Sequence, residues 1–406
     1  MLTRRAPWLV LCGAYALLVQ ELVRISVSGR LHSMDNLLVV DAVRRLSDGG
    51  SPYESARFLY PPSSVLFALP LTALSDLQLE RLFPWGLAAL LLAGWWASLR
   101  LFGVGLRSWL GVAGVAAFAL FNPAVSVVEL GNWTAPVAAG MAVALLLMGR
   151  GRWLAAGVVI GVTIAVKPML VPIGLVFLLA RQWRGLALAA GIPVAVCAVV
   201  TPLLPEPGLF FTRTLPFLLG GQDEFARPYD SSLPSMLPRI GIDGAPLAVL
   251  RAAVLVIAVA TAVWRWRTGG DERLRLVDTS AILMIGTFLV STPAFGYYPL
   301  VVLPPLVASA LVRGSTARSV WFWIALVPLV RPLQFIGVDF LDGGHAGYRQ
   351  SVKPLAWMVV AGTLLLVRTW RGEPAASVPA GPEPAALPTA PVARELERVA
   401  APSSPG

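Results

Sequence analysis

The 406-residue sequence is poor in charge, cysteine and histidine. Charged residues make up 13% of the chain, about half the share of an average soluble domain, which excludes an ordinary cytosolic enzyme. The two cysteines, Cys12 and Cys197, lie in apolar stretches, so a disulfide scaffold is excluded as well. The chain instead has 57% hydrophobic residues and a mean hydropathy of +0.73. This composition excludes an intrinsically disordered protein and predicts an all-α, polytopic membrane protein.

Several motifs of well-known enzyme classes are missing. The sequence has no Walker phosphate-binding loop, no His-Glu-x-x-His pair and no Gly-x-Ser-x-Gly turn. With only two histidines, His32 and His345, a zinc site is not expected, and we predict no metal and no other cofactor. Nucleotide-driven, zinc-dependent and serine-hydrolase chemistries are therefore not expected.

The basic residues predict the orientation in the membrane. The net charge is +10, and the arginines cluster in short loops between apolar segments, as expected for loops on the cytoplasmic side. The N-terminal Arg4 and Arg5 precede an uncleaved first span and are predicted to be cytoplasmic too. The basic loops are Arg150–Arg152, Arg181–Arg184, Arg265–Arg275, Arg313–Arg318 and Arg368–Arg371.

The apolar segments predict about 12 transmembrane helices, with 10 to 14 allowed. Segment 153–180 lies between two basic loops but is too short for two straight spans, so we predict a hairpin broken at Lys167-Pro168. Strict alternation also requires 108–131 to fold back around Asn122-Pro123. The segments are 8–23, 60–75, 82–102, 108–121, 132–149, 153–180, 185–203, 246–264, 278–293, 296–312, 319–335 and 353–369.

Two segments are too polar to cross the membrane. Met34–Leu46, in the loop after the first span, has apolar residues at helical spacing and predicts an amphipathic helix on the exoplasmic surface. Residues 372–406 are rich in proline and alanine and predict a disordered cytoplasmic tail. Residues 1–371 then form one transmembrane catalytic domain.

Polar residues at the edges of apolar segments are the candidate site residues. Asp35 lies among apolar neighbours at the start of the first outer loop, where a carboxylate can accept a proton from a substrate hydroxyl. The other acids of this loop, Asp41, Asp48 and Glu54, are expected to solvate the surface helix.

Two cations on the predicted outer side suit a phosphate. Lys167 is flanked by apolar residues at the hairpin tip, although a structural lysine that reaches for the membrane surface is the alternative. Arg213 follows Phe210-Phe211, and this group can equally be an interface anchor. Three tyrosines on the same predicted side are expected to line a cleft for donor and acceptor: Tyr60, Tyr297 and Tyr298. Taken alone, Tyr60 before Pro61-Pro62 suits the entrance of a span in the aromatic belt.

Together these motifs resemble the actinobacterial membrane glycosyltransferases of family 87, of the GT-C class. The resemblance rests on Tyr60-Pro61-Pro62 and Val166-Lys167-Pro168, and a likeness to arabinofuranosyl-transferring members rests on 181–184, 210–216 and 296–298. It implies a GT-C fold and an inverting, metal-independent enzyme of the plasma membrane whose active site faces outwards. It also implies a decaprenylphosphoryl-arabinofuranose donor and an arabinan acceptor in the cell wall, with Asp35 as the base.

Two other functions stay open. Mannosyl-transferring relatives carry a Ser-Trp and histidine-bearing motif where this chain has 291–298 without histidine, which favours arabinose over mannose. A polyprenyl-phosphate-mannose mannosyltransferase is the alternative within the same class. A lipid or sugar transporter is the alternative from another class.

Overall fold

The computed structural model describes residues 2–28, 33–55, 57–220, 227–331, 333 and 346–371. Within these residues the fold is all-helical, and β-structure is limited to three isolated bridges. The predicted tail, 372–406, lies outside the described residues, as do His32 and His345.

Seventeen α-helices, joined by short 3-10 turns and one π-helical turn, make up the described part of the chain. They are α1 Trp8–Ser28, α2 Met34–Arg44, α3 Ser64–Ala68, α4 Asp76–Leu101, α5 Trp109–Leu120, α6 Asn122–Leu130, α7 Thr134–Met148, α8 Trp153–Val166, α9 Gly174–Leu179, α10 Trp183–Val200, α11 Leu215–Leu219, α12 Leu233–Met236, α13 Gly244–Arg267, α14 Glu272–Val290, α15 Leu303–Ala308, α16 Val320–Leu326 and α17 Ala346–Arg371.

Five helical stretches are long and apolar enough to cross a membrane, and seven shorter apolar helices accompany them. In the stretches that contain α10 and α13, 11% of the most apolar window is buried inside the protein. Such exposed apolar surface is stable in lipid and not in water. The chain is therefore a polytopic membrane protein. The five stretches are Trp8–Val27, Asp76–Leu101, Trp183–Leu203, Gly244–Arg267 and Gln350–Arg371.

The predicted hairpin in 153–180 is confirmed. α8 ends at Val166, two residues before Pro168, and the intervening Lys167 is extended, with φ −153° and ψ 119°, because proline disfavours helix in the residue before it. The chain then returns, since Gly151–Ala155 and Arg181–Arg184 line one cleft of about 700 Å³. Both ends of the hairpin lie together, and Lys167 lies at the tip.

The predicted fold-back around Asn122-Pro123 is wrong. The amide of Trp109, at the start of α5, donates to the carbonyl of Arg4 at 3.0 Å. The carbonyl of Glu129, near the end of α6, accepts from the amide of Ser33 at 3.1 Å. Since Arg4 and Ser33 flank opposite ends of α1, α5 and α6 run through the molecule in one direction. The proline interrupts the helix without reversing the chain.

Segment 60–75, which was predicted to cross, also differs from expectation. At its start, Ser63 donates to the carbonyl of Ala165 near the hairpin tip at 2.7 Å. At its end, Arg44 of α2 donates to the carbonyl of Leu74 at 2.6 Å. Both ends therefore lie on the side that holds α2 and the hairpin tip. The ten residues of Ser64–Ala73 return to the side from which they came.

The amphipathic helix after the first span is confirmed as α2. It begins at Met34, as predicted, and buries Val39, Val40 and Val43 on one face. Its apolar face packs into a second core cluster with Tyr53, Phe58 and other residues of the following loop. The first residues of α2 are thereby held against the body of the protein, which places Asp35.

Close helix packing holds α7 and α8, the two other helices that carry site residues, in place. α4 packs against α7, and a Cβ added at Gly94 would lie 3.1 Å from the Cα of Ala139. α8 packs against α7 through Gly140, where a Cβ would clash with the side chain of Thr163. These contacts fix the start of α7 and the end of α8 relative to each other.

Candidate active site

Asp35, the candidate base, is held at the start of α2. Ser33, which precedes the helix, has a left-handed backbone with φ 52°. The turn after α6 approaches it closely, because Gly131 has φ 69° and a Cβ there would lie 2.9 Å from the Cβ of Asn36. Only glycine fits this turn without strain. The turn therefore brings the residue after Gly131 next to Asp35.

Asn132 is the residue that this turn delivers. Its Nδ2 donates to Oδ2 of Asp35 at 2.6 Å and to the hydroxyl of Tyr297 at 2.8 Å. Its Oδ1 accepts from the amide and from the hydroxyl of Thr134, at 2.8 and 2.7 Å. The side chain is nearly fully buried, at 4% exposure. Sequence analysis missed Asn132, although a polar residue at the start of an apolar segment was the available signal.

Lys167 reaches the same amide from the hairpin tip. Its Nζ donates to Oδ1 of Asn132 at 3.2 Å and to Oγ1 of Thr134 at 3.1 Å. It also lies 5.8 Å from the ring centre of Tyr60 and 5.2 Å from that of Tyr298, within the range of cation–π contacts. Asp35 and Lys167, 132 positions apart in the sequence, thus meet through one side chain.

Aromatic side chains form the walls around this group. Tyr60 packs against Trp133 at 5.8 Å between ring centres, and Tyr297 packs against Tyr298 at 5.7 Å. The indole of Trp133 donates to Oδ1 of Asn36 at 3.0 Å, which ties the wall to α2. The three tyrosines chosen from the sequence therefore lie together with Asp35 and Lys167.

The environment of Asp35 favours the proton-binding form. Burial raises the pKa of Asp35 above its usual range, although the hydrogen bonds from Asn132 and Tyr297 and the charge of Lys167 act in the opposite direction. A carboxylate with a raised pKa is a stronger base once it is ionised. The residue is partly exposed, so a substrate can reach it.

A second acid, which sequence analysis also missed, holds the loop that carries Tyr297 and Tyr298. Oδ1 of Asp230 accepts from the amides of Ser232 and Ala294, both at 2.9 Å. Asp230 is 3% exposed, and burial raises the pKa of this carboxyl. It lies on the loop before α12 and joins that loop to the tyrosine loop.

Arg213 is not in this group. It lies exposed in the helical turn Phe210–Thr214. The neighbouring Phe210 packs against Tyr53 at 5.3 Å, which attaches the turn to the aromatic cluster below α2. The structure therefore places Arg213 near the site's periphery and shows no contact between it and Asp35 or Lys167.

Two of the three remaining acids of the first outer loop have structural partners, and the third, Asp48, is exposed. Asp41 pairs with Arg44 at 3.0 Å, and Oε1 of Glu54 accepts from the amide of Ser51 at 2.9 Å. Among the described residues, no three His, Cys, Asp or Glu side chains lie close enough to hold a metal ion.

Comparison with known proteins places this site in a family. Residues 58–292 match the profile of glycosyltransferase family 87. The chain belongs to this glycosyltransferase family. The matched range contains Tyr60, Asn132 and Lys167, whereas Asp35 and Tyr297 join the site from outside it.

The glycosyltransferase is similar to three named relatives, each called α-(1→3)-arabinofuranosyltransferase. The one from Mycobacterium tuberculosis is 30% identical over 306 residues, which cover 72% of this chain and 68% of the relative. The one from Mycolicibacterium smegmatis is 28% identical, covering 66% and 63%. The one from Corynebacterium glutamicum is 26% identical, covering 82% and 81%. No solved structure matches the chain.

Family membership makes the chain a membrane glycosyltransferase, which takes a sugar from a donor and passes it to an acceptor. The carboxylate, the cation and the aromatic walls are groups that such a reaction can use. In the described part of the chain, these three features meet at this site.

Proposed function

We propose that this enzyme transfers arabinofuranose from decaprenylphosphoryl-arabinose to an arabinan acceptor of the cell wall. The observation that carries the proposal is the meeting of Asp35 and Lys167 on the side chain of Asn132. A base for the acceptor and a cation for a departing phosphate are then adjacent. The arabinose donor is supported by the three relatives that share this name.

In the proposed reaction Asp35 takes the proton from an acceptor hydroxyl. The hydroxyl oxygen attacks the anomeric carbon, and the bond from that carbon to the phosphate oxygen breaks. The polyprenyl phosphate leaves with the electron pair, and Lys167 balances its charge. The displacement inverts the anomeric carbon and uses no metal. General-base help contributes about 10² to 10⁴ in rate, and stabilising the leaving charge contributes about 10² to 10³.

We also propose a GT-C fold with twelve membrane crossings. In this fold α5 and α6 together make one crossing, and segment 60–75 does not cross the membrane. Arg107 lies beside the N-terminal arginines, since its carbonyl accepts from the amide of Ala6 at 2.8 Å. Arginines flank the N-terminal ends of α1 and α5 and both ends of the 153–180 hairpin, whereas Asp35 lies at the far end of α1. The positive-inside rule then puts the site on the outer face of the plasma membrane.

The outer location accounts for a lipid-phosphate donor. Nucleotide sugars are cytoplasmic, so a site on the outer face needs a sugar that reaches it on a membrane lipid. Lys167, between two tyrosine rings at the hairpin tip, is the cation that would bind the phosphate of such a donor. The apolar helices around it suit a prenyl chain.

One assay separates the proposal from its two alternatives. Purified enzyme is incubated with an oligo-arabinan acceptor and either synthetic prenylphosphoryl-arabinofuranose or prenylphosphoryl-mannose, and prenyl phosphate release and glycan products are measured. We expect an arabinosylated product and stoichiometric prenyl phosphate from the first donor. A product only from the second donor would make the enzyme a mannosyltransferase. Translocation of intact donor in proteoliposomes without cleavage would make it a transporter.

A further inference from the structure

Asn132 has a position that the transfer reaction alone does not explain. Its amide lies between the two groups of opposite charge, with Nδ2 on Asp35 and Oδ1 on Lys167. Asp35 and Lys167 form no direct ion pair in the described structure. We propose that Asn132 is a positioning residue whose neutral amide keeps the Asp35 carboxylate and the Lys167 ammonium apart, so that neither is compensated by the other and each stays available to its substrate. This inference rests on the proposed function.

The surroundings of Asn132 fix which end of the amide faces which charge. Oδ1 accepts from the amide and the hydroxyl of Thr134 as well as from Lys167, so the oxygen end is held by three donors. Nδ2 must then point to Asp35 and to Tyr297, which offer oxygen atoms. The backbone is fixed too, because the amide of Asn132 donates to the carbonyl of Val127 at 2.8 Å. The amide therefore cannot rotate out of the gap.

A direct pair would impair both partners. Opposite charges attract strongly where water is scarce, and Asp35 and Lys167 are both partly buried. In contact, the ammonium would lower the proton affinity of Asp35, and the carboxylate would neutralise the cation that the leaving phosphate needs. An amide forms hydrogen bonds with both groups and carries no net charge. It satisfies each group without compensating the charge of either.

The titratable groups that face Asp35 define how the pH profile should respond. They are Lys167 from the hairpin tip, Tyr60 from the loop before α3, and Tyr297 and Tyr298 from the loop after α14. The three phenols are neutral in the working pH range, so Lys167 is the one charged group among them. A change in the contact between Asp35 and Lys167 should therefore dominate any shift of the acidic limb.

The test is the pH dependence of kcat/KM for Asn132→Ser. Serine can still accept from the amide of Thr134, the first residue of α7, but it is too short to separate Asp35 from Lys167. The base works when ionised, so activity rises as pH rises through the pKa of Asp35. We expect the acidic limb to move to lower pH by about 1 to 3 units, because an opposite charge in contact favours the ionised form. The KM for the prenylphosphoryl donor should rise.

The direction of the shift makes the inference falsifiable. If Asn132 served Asp35 only as a hydrogen-bond donor, its loss would move the acidic limb to higher pH, and that result, or an unmoved limb, would overturn the proposal. Thr134→Val is the matched control, because it removes the other oxygen that binds Lys167 and leaves the amide in place. Its acidic limb should stay where the unmodified enzyme has it, even if turnover falls.

A second variant covers the case in which Asn132→Ser does not fold. Asn132→Thr keeps an oxygen that can accept from the amide of Thr134 and fills more of the space of the asparagine, but it is also too short to separate Asp35 from Lys167. The acidic limb should again move to lower pH and the donor KM should rise, whereas an unmoved limb or a shift to higher pH would overturn the inference. The proposed function and the role of the Asn132 amide can be contradicted separately. An active Asp35→Asn enzyme contradicts the proposed function, whereas an inactive one with unshifted Asn132 variants contradicts only the role of the amide.

Discussion

At the scale of single residues, the site depends on one lysine at a position where lysine is costly. Lys167 contacts Asn132, Thr134 and two tyrosine rings, and the hairpin break holds it at the tip. A buried structural lysine and a phosphate-binding lysine predict different results when the charge alone is removed.

Lys167→Met should lower kcat/KM for the donor by about 10²-fold, the loss expected when one charge-stabilising group is removed. The free energy of unfolding should hold or rise, because methionine fills similar space without a buried charge. Donor titration and thermal unfolding of the purified variant measure the two effects. A variant that aggregates yet keeps its activity per folded molecule would mark Lys167 as structural.

Arg213→Lys tests the second predicted phosphate ligand. The side chain is exposed and outside the hydrogen-bonded group, so a role in the reaction needs the donor's phosphate to reach it. Lysine cannot copy the planar fork of arginine, and we expect a defect when donor is varied and none when acceptor is varied. Normal donor titration with weakened acceptor use would assign Arg213 to the glycan.

The site residues that were found from the sequence share one property. Each carries a polar or charged group where the surrounding sequence is apolar. Asp35 and Lys167 are charges at the edge of apolar segments, and such charges signal function. Asn132 and Asp230 carry a much weaker signal, because asparagine is common at helix starts and acids are common in outer loops. Their importance depends on contacts between distant parts of the chain, which no local pattern contains.

At the scale of helices and loops, the loop that carries Tyr297 and Tyr298 is held by Asp230. Both amides that it satisfies are bound by a single carboxylate oxygen. The amide oxygen of asparagine can replace that oxygen, whereas alanine leaves both amides without a partner.

Asp230→Ala should therefore lower the free energy of unfolding by about 1–3 kcal/mol for each amide left unsatisfied, and it should lower turnover because Tyr297 loses its support. Asp230→Asn is the matched control and should stay close to the unmodified enzyme in both measurements. Chemical unfolding and steady-state kinetics on the two variants make the comparison. Equal loss of stability and turnover in both variants would show that the charge of Asp230, and not its two hydrogen bonds to the backbone amides, holds the loop.

The positions of the helices were predicted well from the sequence, whereas the direction in which the chain runs through some of them was not. The hairpin was predictable because its length and its two basic ends allowed no single crossing. The fold-back at Asn122-Pro123 was wrong because it compensated for an error made upstream, where 60–75 was counted as a crossing. The mostly apolar residues 64–73 look like a short span in the sequence, and only the contacts of both ends with one side reveal the return.

At the scale of the whole molecule, the proposed topology separates an arginine-rich face from the catalytic face. The C-terminal helix α17 ends at Arg368 and Arg371, which the positive-inside rule assigns to the cytoplasm. In this topology the chain leaves α17 on the side of the membrane opposite to Asp35.

Removal of residues 372–406 should therefore leave the rate of transfer within about twofold of the full chain, because a Pro- and Ala-rich cytoplasmic tail has no access to an outer site. Transfer assays on truncated and full-length protein at equal amounts of inserted enzyme test this. A large loss of turnover in well-inserted truncated protein would contradict the proposed topology and the predicted disorder of the tail.

The central claim is that Asp35 is the base of a transfer reaction at this site. The most direct test is the rate of arabinofuranose transfer from prenylphosphoryl-arabinofuranose by Asp35→Asn, with Asp41→Asn on the same helix as the matched control. The account predicts a loss of at least about 10²-fold for Asp35→Asn, with normal folding and membrane insertion, and no comparable loss for Asp41→Asn. Retention of more than about a tenth of the activity by Asp35→Asn would contradict it.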